Sequence, residues 1–303
     1  MAVITRNSFA KALWPGVNTW YGKEYNDHAT EYTDLFSSHK SDKAYEEDIS
    51  VSSFGLAQVK SEGSPISYDS EQQGFLSRYT HVTYANGFII TREAFEDDQY
   101  AVVGERRSKA LARSMRQTKE TVGANVYNRA FSSSYLGGDG KEMCATDHPN
   151  VAGGTWSNEL TTAADISEAA LEQACIDIMK WTDDRGLKIA AMPDQLIIPS
   201  DLVFEAERIL MSTGRVATAD NDLNAIKAMG KFSKGAKVNH YLTDADAWFI
   251  RTNVPNGPKY FERTADNFAE DSDFDTDNAK FKAYGRYSFG WSDPRGVFGS
   301  PGA

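Results

Sequence analysis

The feature that most restricts the fold of this chain is a long proline-free segment with the periodicity of an α-helix. No proline occurs from about Asp98 to Phe131, and residues 105–131 alone would span about 40 Å as a helix at 1.5 Å per residue. A helix of that length is long for an internal element of a compact enzyme. One face of it is marked by side chains that recur every three or four residues, namely Leu111, Met115, Thr118, Val122 and Val126.

The opposite face of the same predicted helix carries a basic stripe. Residues 105–119 contain six basic side chains and one acidic side chain, whereas the whole chain, with 32 basic and 43 acidic residues, has a net charge of −11. Two interpretations stay open: a face that pairs with acidic groups or with solvent, and a sequence-independent contact with DNA. The basic stripe consists of Arg106, Lys109, Arg113 and Arg116.

Composition indicates an ordinary globular protein. The 303 residues are 41% apolar and 25% charged, which suits one large domain or two interleaved domains. Two cysteines argue against a disulfide framework, and the negative net charge disfavours a dedicated nucleic-acid binder. The N-terminal sequence does not resemble a signal peptide, and no apolar run approaches the ~20 residues that cross a bilayer. We therefore expect a soluble protein made inside a cell.

Two N-terminal stretches lack the residue pattern that would let them form a hydrophobic core of their own. Residues 1–50 are rich in aromatic side chains without a sustained period, so we expect an arm that lies over the body of the chain or over a neighbour. Residues 51–91 have the pattern of extended structure, with turn signals at 62–65 and at Asn86-Gly87. Ordering each residue costs about 1–2 kcal/mol of backbone entropy, so contacts with neighbouring subunits are the expected compensation.

The rest of the chain mixes helices and strands without a simple alternation. A helix is expected over 167–184, with Asp165 and Glu168 as a capping box and Gly186 at its end. A buried strand, a further helix and two strands follow along the chain. Because the order does not fit repeated βαβ units, the prediction is an α+β fold with interleaved subdomains.

One short stretch resembles a reactive site. Cys144, Asp147 and His148 lie within five positions, and a thiol next to an imidazole can serve as a nucleophile with its base or as a pair of zinc ligands. The alternative is a surface loop, with His148-Pro149 as a turn and Gly153-Gly154 as a bend. We favour the loop, because no second CxxC or HxxxH motif supplies further ligands. Cys175 is expected to be a small buried hydrophobe.

Two other motifs lack residues that their chemistry requires. The segment 137–142, GGDGKE, has neither the first glycine of a phosphate-binding loop nor the serine or threonine after its lysine. The acidic run 270–278 lacks the glycine and the final glutamate of a calcium loop, although aspartates stand at alternate positions, namely Asp271, Asp273, Asp275 and Asp277. No catalytic, cofactor-binding or metal-binding residue is therefore predicted.

Five segments, taken in order, resemble the major capsid proteins of tailed bacteriophages. The resemblance is to the Mu-type head subunit with the Hong Kong 97-like fold, and it touches roughly residues 50–300. The segments are ANGFIITREAFEDD (85–98), FSSSYLGGDGKEMCATDHPNVAGGTWSN (131–158), DQLIIPSDLVFEAERIL (194–210), YLTDADAWFIRTN (241–253) and YGRYSFGWSDPRGVFGS (284–300).

This resemblance implies a specific architecture within the α+β class. The Hong Kong 97-like fold has an N-terminal arm, an extended β-loop, a peripheral domain with a long spine helix, and an axial domain. The expected boundaries are 1–50 for the arm, 51–90 for the β-loop and its flanking strands, 91–160 for the peripheral domain with the spine helix, 161–255 for the axial domain, and 256–303 for the return strands of the peripheral domain.

The resemblance also implies the function of a shell. The chain would be a structural protein, not an enzyme and without cofactor, that assembles into pentamers and hexamers of an icosahedral head around double-stranded DNA. The chain would bind further copies of itself, scaffold, portal and decoration proteins, and packaged DNA without sequence preference, and it would not bind a membrane. It would be made in the host cytoplasm and reside in the virion. Two alternatives are a nanocompartment shell around protein cargo and a Cys- or metal-dependent hydrolase at 144–148.

Within this interpretation, two sets of residues have expected roles. Trp14, Trp20 and Tyr21 of the arm are expected to pack on neighbouring subunits. The basic stripe is expected to pair across subunits or with solvent rather than to face DNA, because a shell lining that holds phosphates tightly would oppose DNA release.

Overall fold

The computed structural model describes residues 18–91, 93, 100–215, 222–273 and 278–303. Trp14, Asp275 and Asp277 therefore lie outside the described residues, as does the rest of 1–17. Of the helices in the part of the chain that is described, none is both long enough and apolar enough to cross a bilayer.

Helices and strands are interspersed along the chain, as expected for the α+β class. The helices are α1 (18–27), α2 (Tyr32–Leu35), α3 (Tyr100–Asn128), α4 (Glu168–Lys180), α5 (Val203–Met211) and α6 (Ala225–Met229). The strands are β1 (Ser37–Lys40), β2 (Tyr45–Val51), β3 (Gln73–Thr80), β4 (Val82–Ile90), β5 (His148–Pro149), β6 (Thr155–Trp156), β7 (Pro193–Ile198), β8 (Ala236–Val238), β9 (Trp248–Thr252), β10 (Pro258–Ser272), β11 (Ala279–Trp291) and β12 (Val297–Ser300).

The long helix predicted from the sequence is confirmed as α3, which has 29 residues. Its apolar face packs on a four-stranded sheet, the first sheet, with the order β1-β10-β11-β4. Leu111 and Met115 are buried with Phe281 of β11 and Ile90 of β4. The burial of this face holds α3 against the sheet, because apolar area removed from water stabilises a fold by about 25 cal/mol per Å².

The turn predicted at Asn86-Gly87 is wrong. Both residues lie inside β4, where Gly87 is paired with Lys282 of β11. A Cβ atom on Gly87 would lie 2.5 Å from the carbonyl oxygen of Phe281, so the glycine permits a close approach of two backbones. The Asn86 amide donates a hydrogen bond to Ser114 Oγ of α3, at 3.2 Å. The Asn-Gly pair therefore serves packing in the middle of a strand.

Strands β2 and β3 form a separate two-stranded hairpin. The register runs from Tyr45 opposite Thr80 to Val51 opposite Gln73. Between them, residues 52–72 form no strand, and a hydrogen bond from Ser64 N to Ser61 O, at 3.2 Å, closes a turn over 61–64, one residue before the predicted turn at 62–65. The hairpin thus begins at Tyr45, inside the segment that the sequence assigned to the arm.

A second sheet, with the order β12-β9-β7-β8, supports the other half of the core. Helices α4 and α5 cover it, and Trp248 and Phe298 are fully buried there. Ser167 caps α4 by accepting a hydrogen bond from Ala170 N, at 3.2 Å, and the helix ends at Lys180 because Trp181 is extended. Because β12 pairs with β9, it belongs to the second sheet, whereas the return strands β10 and β11 belong to the first.

The described part of the predicted arm over 1–50 lies over the body of its own chain, which is one of the two expected placements. Leu35 and Phe36 are 1% and 2% exposed in the central core, and β1 is a parallel neighbour of β10. Tyr21 is 5% exposed, and its ring stacks on Phe268 of the same chain with centroids 4.7 Å apart. The aromatic residues gave no clear period because the chain changes from helix to strand within about twenty residues.

Candidate assembly surface

The loop between β2 and β3 exposes large apolar side chains. We call residues 56–68 the distal loop. Val59 is 100% exposed, Tyr68 is 87% exposed, Leu56 is 79% exposed and Ile66 is about half-exposed. Contiguous apolar side chains that remain in water are typical of a surface that contacts another molecule. Within the described residues these side chains remain in water, so they are available to a partner.

The base of this loop is tied together by one aspartate. Asp69 Oδ2 accepts hydrogen bonds from Gly55 N, at 2.7 Å, and from Arg185 Nη1, at 2.6 Å, while its Oδ1 accepts from Ser70 N, at 2.8 Å. The Arg185 guanidinium, followed by the two backbone N–H groups, lowers the pKa of Asp69 to about 2. The carboxylate is therefore ionised at neutral pH, and it links the two sides of the loop where the strands have ended.

The hairpin strands are also fastened to the first sheet. Lys259 Nζ and Ser292 Oγ both donate to Asp48 Oδ2 of β2, each at 2.5 Å, and the Tyr79 hydroxyl of β3 lies 2.6 Å from Ser292 Oγ. Burial acts to raise the pKa of Asp48, but the two donors hold it below its ordinary value. The hairpin is consequently held against the first sheet, and the distal loop continues from strands that are fixed to the body.

The basic stripe does not form one solvent-exposed face. Lys109 pairs with Glu105 one turn away on α3, at 2.7 Å, and Arg113 pairs with Glu24 of α1, at 3.3 Å. Arg106 is exposed. Arg116 is only 8% exposed, since α1 lies across this side of α3. The helical face was predicted correctly, but the segment that covers its C-terminal end was not.

Arg116 joins α1 to α3 instead of facing a partner. Its guanidinium lies over the Tyr25 ring, 4.4 Å from the centroid, and donates to the carbonyl oxygen of His28, at 3.2 Å. Such a cation–π contact is worth about 0.5–2 kcal/mol, depending on how far the pair is desolvated. In the described structure the Arg116 guanidinium is therefore engaged within its own chain.

A buried ion pair that the sequence did not indicate lies beneath α1. Lys119 Nζ lies 2.9 Å from Asp266 Oδ2 and 3.6 Å from Glu262 Oε1, and both the Lys119 and the Asp266 side chains are nearly inaccessible. The Tyr25 hydroxyl donates to the same Asp266 oxygen. The pair therefore connects α1, α3 and β10 at one point.

The residue after Lys119 fastens the next segment of the chain. Glu120 accepts hydrogen bonds from the backbone N–H groups of Glu31 and Tyr32, with the shortest at 2.8 Å from Tyr32 N. Burial raises the pKa of Glu120, although these two donors act in the opposite direction. Successive residues of α3 thus hold residues 25–32 in place.

The Cys144–His148 stretch is packed into the body, with Cys144 and His148 both buried. His148 Nδ1 lies 2.7 Å from Asp139 Oδ2 and its Nε2 lies 3.0 Å from Asn158 Oδ1, so both ring nitrogens are occupied. Asp147 is exposed and pairs with Lys141, at 2.5 Å. Burial raises the pKa of the Cys144 thiol well above its ordinary value. Across the residues that the structure describes, no group of three or more possible ligands for a metal ion occurs.

Asn158 is the centre of this loop and was not singled out in the sequence. It is fully buried, and its Nδ2 donates to the carbonyl oxygens of Met143, Pro294 and Val297 at 2.8–3.1 Å. Its Oδ1 accepts from Ala145 N, at 2.9 Å. One amide side chain therefore satisfies backbone groups from two distant parts of the chain, which is a structural role.

Thiol reactivity gives a direct test of the packed-loop interpretation. Cys144 and Cys175 are 1% and 4% exposed, and burial raises the pKa of Cys175 to about 11. Because the thiolate is the reactive form, we expect neither thiol to react with Ellman's reagent in the native protein and both to react in guanidinium chloride. A native thiol that reacts within seconds, and that is lost in Cys144→Ser, would restore the hypothesis of a nucleophile.

Comparison with known proteins identifies the family. A family model described as phage capsid protein matches residues 76–299, which is well over half of the chain. The chain belongs to the phage capsid protein family. It is a major capsid shell protein, and it is located in the virion capsid. Membership of this family favours the phage-head interpretation over the nanocompartment shell. No curated protein matches the chain.

Solved structures agree with this capsid protein in fold. The virus-like particle from Pyrococcus furiosus has a TM-score of 0.54 at 10% identity, covering 94% of this chain and 97% of that chain. The capsid of an empty GTA particle has a TM-score of 0.55 at 13% identity, with 88% of each chain covered. The structure from Microbacterium phage Oxtober96 has a TM-score of 0.51 at 9% identity, with 90% of each chain covered. The fold is accordingly the α+β Hong Kong 97-like fold that the sequence indicated.

Proposed function

We propose that this capsid protein assembles into pentamers and hexamers of an icosahedral head around double-stranded DNA, with the distal loop of one subunit bound to the next. The observation that carries the proposal is the exposure of the apolar side chains of the distal loop on a fixed hairpin. Val59, Tyr68 and Leu56 remain in water in the single chain. Burial of such a side chain at an interface yields about 1.5–3 kcal/mol before the cost of ordering, so a second copy gains stability by covering them.

The remaining roles follow from the proposed shell. Helix α3 would serve as the spine helix of the peripheral domain, and the second sheet with α4 and α5 would form the axial domain. Arg106, which is exposed on α3, would contact a neighbouring subunit or packaged DNA without sequence preference. Scaffold, portal and decoration proteins would be further partners, and synthesis would take place in the host cytoplasm.

Assembly of the purified protein tests this proposal. We expect the wild-type protein to form rings or closed shells as its concentration rises, seen by light scattering and negative-stain microscopy. A variant with Leu56, Val59, Ile66 and Tyr68 all changed to Ser should keep its circular dichroism spectrum, because these side chains are outside the core, and should lose shells.

The matched control removes an exposed apolar side chain elsewhere. Ile176 of α4 is 41% exposed, and Ile176→Ser should assemble as the wild type does. A wild-type protein that stays monomeric at every concentration and salt would contradict the shell. Normal shells from the fourfold loop variant would instead contradict the role of the distal loop.

A further inference from the structure

The base of the loop between β2 and β3 is contacted by Arg185, a side chain from the second half of the chain. Its Nη1 donates to Asp69 Oδ2, at 2.6 Å, and its Nη2 donates to the carbonyl oxygen of Ser70. A guanidinium can supply two parallel donors in a fixed plane, which a lysine cannot. The contact therefore restricts both the position and the direction of the loop base.

The turn that carries Arg185 is itself rigid. Asp183 Oδ1 accepts hydrogen bonds from Arg185 N, at 2.9 Å, and from Leu187 N, at 2.8 Å, and Asp183 N donates back to Leu187 O, at 2.8 Å. Gly186 has a φ of 81°, which a glycine adopts without strain. Asp184 is held by Arg295, at 3.2 Å. The guanidinium is thus presented from a fixed point of the body.

The base of the loop, in contrast, lies where the strand pairing of the hairpin has ended. The strand pairing of the hairpin ends at Val51 and Gln73, and one further rung joins Ser52 N to Gln72 O, at 2.9 Å. Beyond this rung, Gly55 N donates to Asp69 Oδ2, at 2.7 Å, where the distal loop begins and ends. The direction of the distal loop therefore depends on what holds Asp69.

We propose that Arg185 is a positioning residue for assembly, which fixes the direction of the distal loop before another subunit is bound. The inference rests on the proposed function, since the distal loop is the surface that would be offered to the neighbouring copy. A loop that is held in the binding direction binds without first losing its orientational freedom. Shell growth repeats this step for every subunit, so a small loss of binding free energy at each contact adds up over the whole shell.

The first measurement follows the loop in the unassembled protein. Spin labels on Lys60→Cys in the distal loop and Gln173→Cys on α4 report their distance distribution, and the two native cysteines are buried. We expect a narrow distribution with Arg185 present and a distribution at least several-fold broader in Arg185→Ala. This measurement is made in dilute protein and does not depend on whether shells form.

The second measurement follows assembly of unlabelled protein. Arg185→Ala should assemble several-fold more slowly than the wild type, or should give irregular shells, at an unchanged thermal midpoint, and Arg185→Lys should recover part of the rate. The matched control is Lys188→Ala, which removes a positive charge from the same turn; Lys188 Nζ donates to Lys180 O, at 2.6 Å. This control should behave as the wild type in both measurements.

The outcomes separate the two proposals. An unchanged distance distribution in Arg185→Ala would overturn the inference, as would a broad distribution accompanied by wild-type assembly rate and shell size. Failure of the wild-type protein to assemble would contradict the proposed function, whereas the distance measurement would still decide whether Arg185 holds the loop.

Discussion

The Asn158→Ala variant is expected to lose about 3–5 kcal/mol of unfolding free energy, because each buried polar group left without a partner costs about 1–3 kcal/mol. The substitution removes the donor to three carbonyl oxygens and the acceptor for Ala145 N and His148. The site is fully buried, so water does not replace these bonds at low cost. Denaturant unfolding followed by fluorescence measures the change.

A matched substitution shows whether the loss is specific. Asn267 is exposed on β10, and Asn267→Ala should change the unfolding free energy by no more than about 0.5 kcal/mol, as is usual for surface positions. Asn158→Asp keeps the size and the acceptor but loses the two N–H groups that the three carbonyl oxygens share, and it should be at least as destabilising as Asn158→Ala. If Asn158→Ala were as stable as Asn267→Ala, the central role of Asn158 in the loop would be wrong.

The second large effect is expected at the buried ion pair of α3. Lys119→Met leaves Asp266 without its cationic partner in a site where both side chains are nearly inaccessible. Removing one member of a buried pair typically costs about 3–5 kcal/mol, because the other charge stays buried and uncompensated. Since Asp266 also accepts from Tyr25 of α1, we expect faster amide hydrogen exchange in α1 as well.

A second lysine of the same helix is the natural control. Lys109 forms an exposed pair with Glu105 one turn away, so Lys109→Met should cost only about 0.3–0.5 kcal/mol. The double variant Lys119→Met, Asp266→Asn should recover part of the loss, because the more deeply buried of the two carboxylates near Lys119 no longer carries a charge. Equal destabilisation by Lys119→Met and Lys109→Met would show that the buried pair contributes nothing beyond an exposed one.

The sequence by itself was sufficient for the elements whose signals are local. The apolar period that includes Leu111 and Met115 predicted α3, and the turn of the β2–β3 loop followed from Gly63 and its neighbours. The sequence also favoured a loop over a reactive site at Cys144 to His148, since further ligands were missing nearby, but it placed that loop at the surface, whereas Cys144 and His148 are buried. In each case the residues that decide the structure lie within a few positions of one another, and helix period, turn chemistry and motif spacing depend on such neighbours.

Only the tertiary structure decided which distant residues meet. The sequence could place Arg116 on a helical face, but it could not show that α1 covers that face or that Tyr21 packs on Phe268 of its own chain. Lys119 and Asp266 each look like surface residues in sequence, and their burial results from the packing of a helix on a sheet strand far along the chain. Asn86-Gly87 has the chemistry of a turn, yet the pairing of β4 with β11 overrides it, because a local preference of about 1 kcal/mol is small beside the burial of a whole strand.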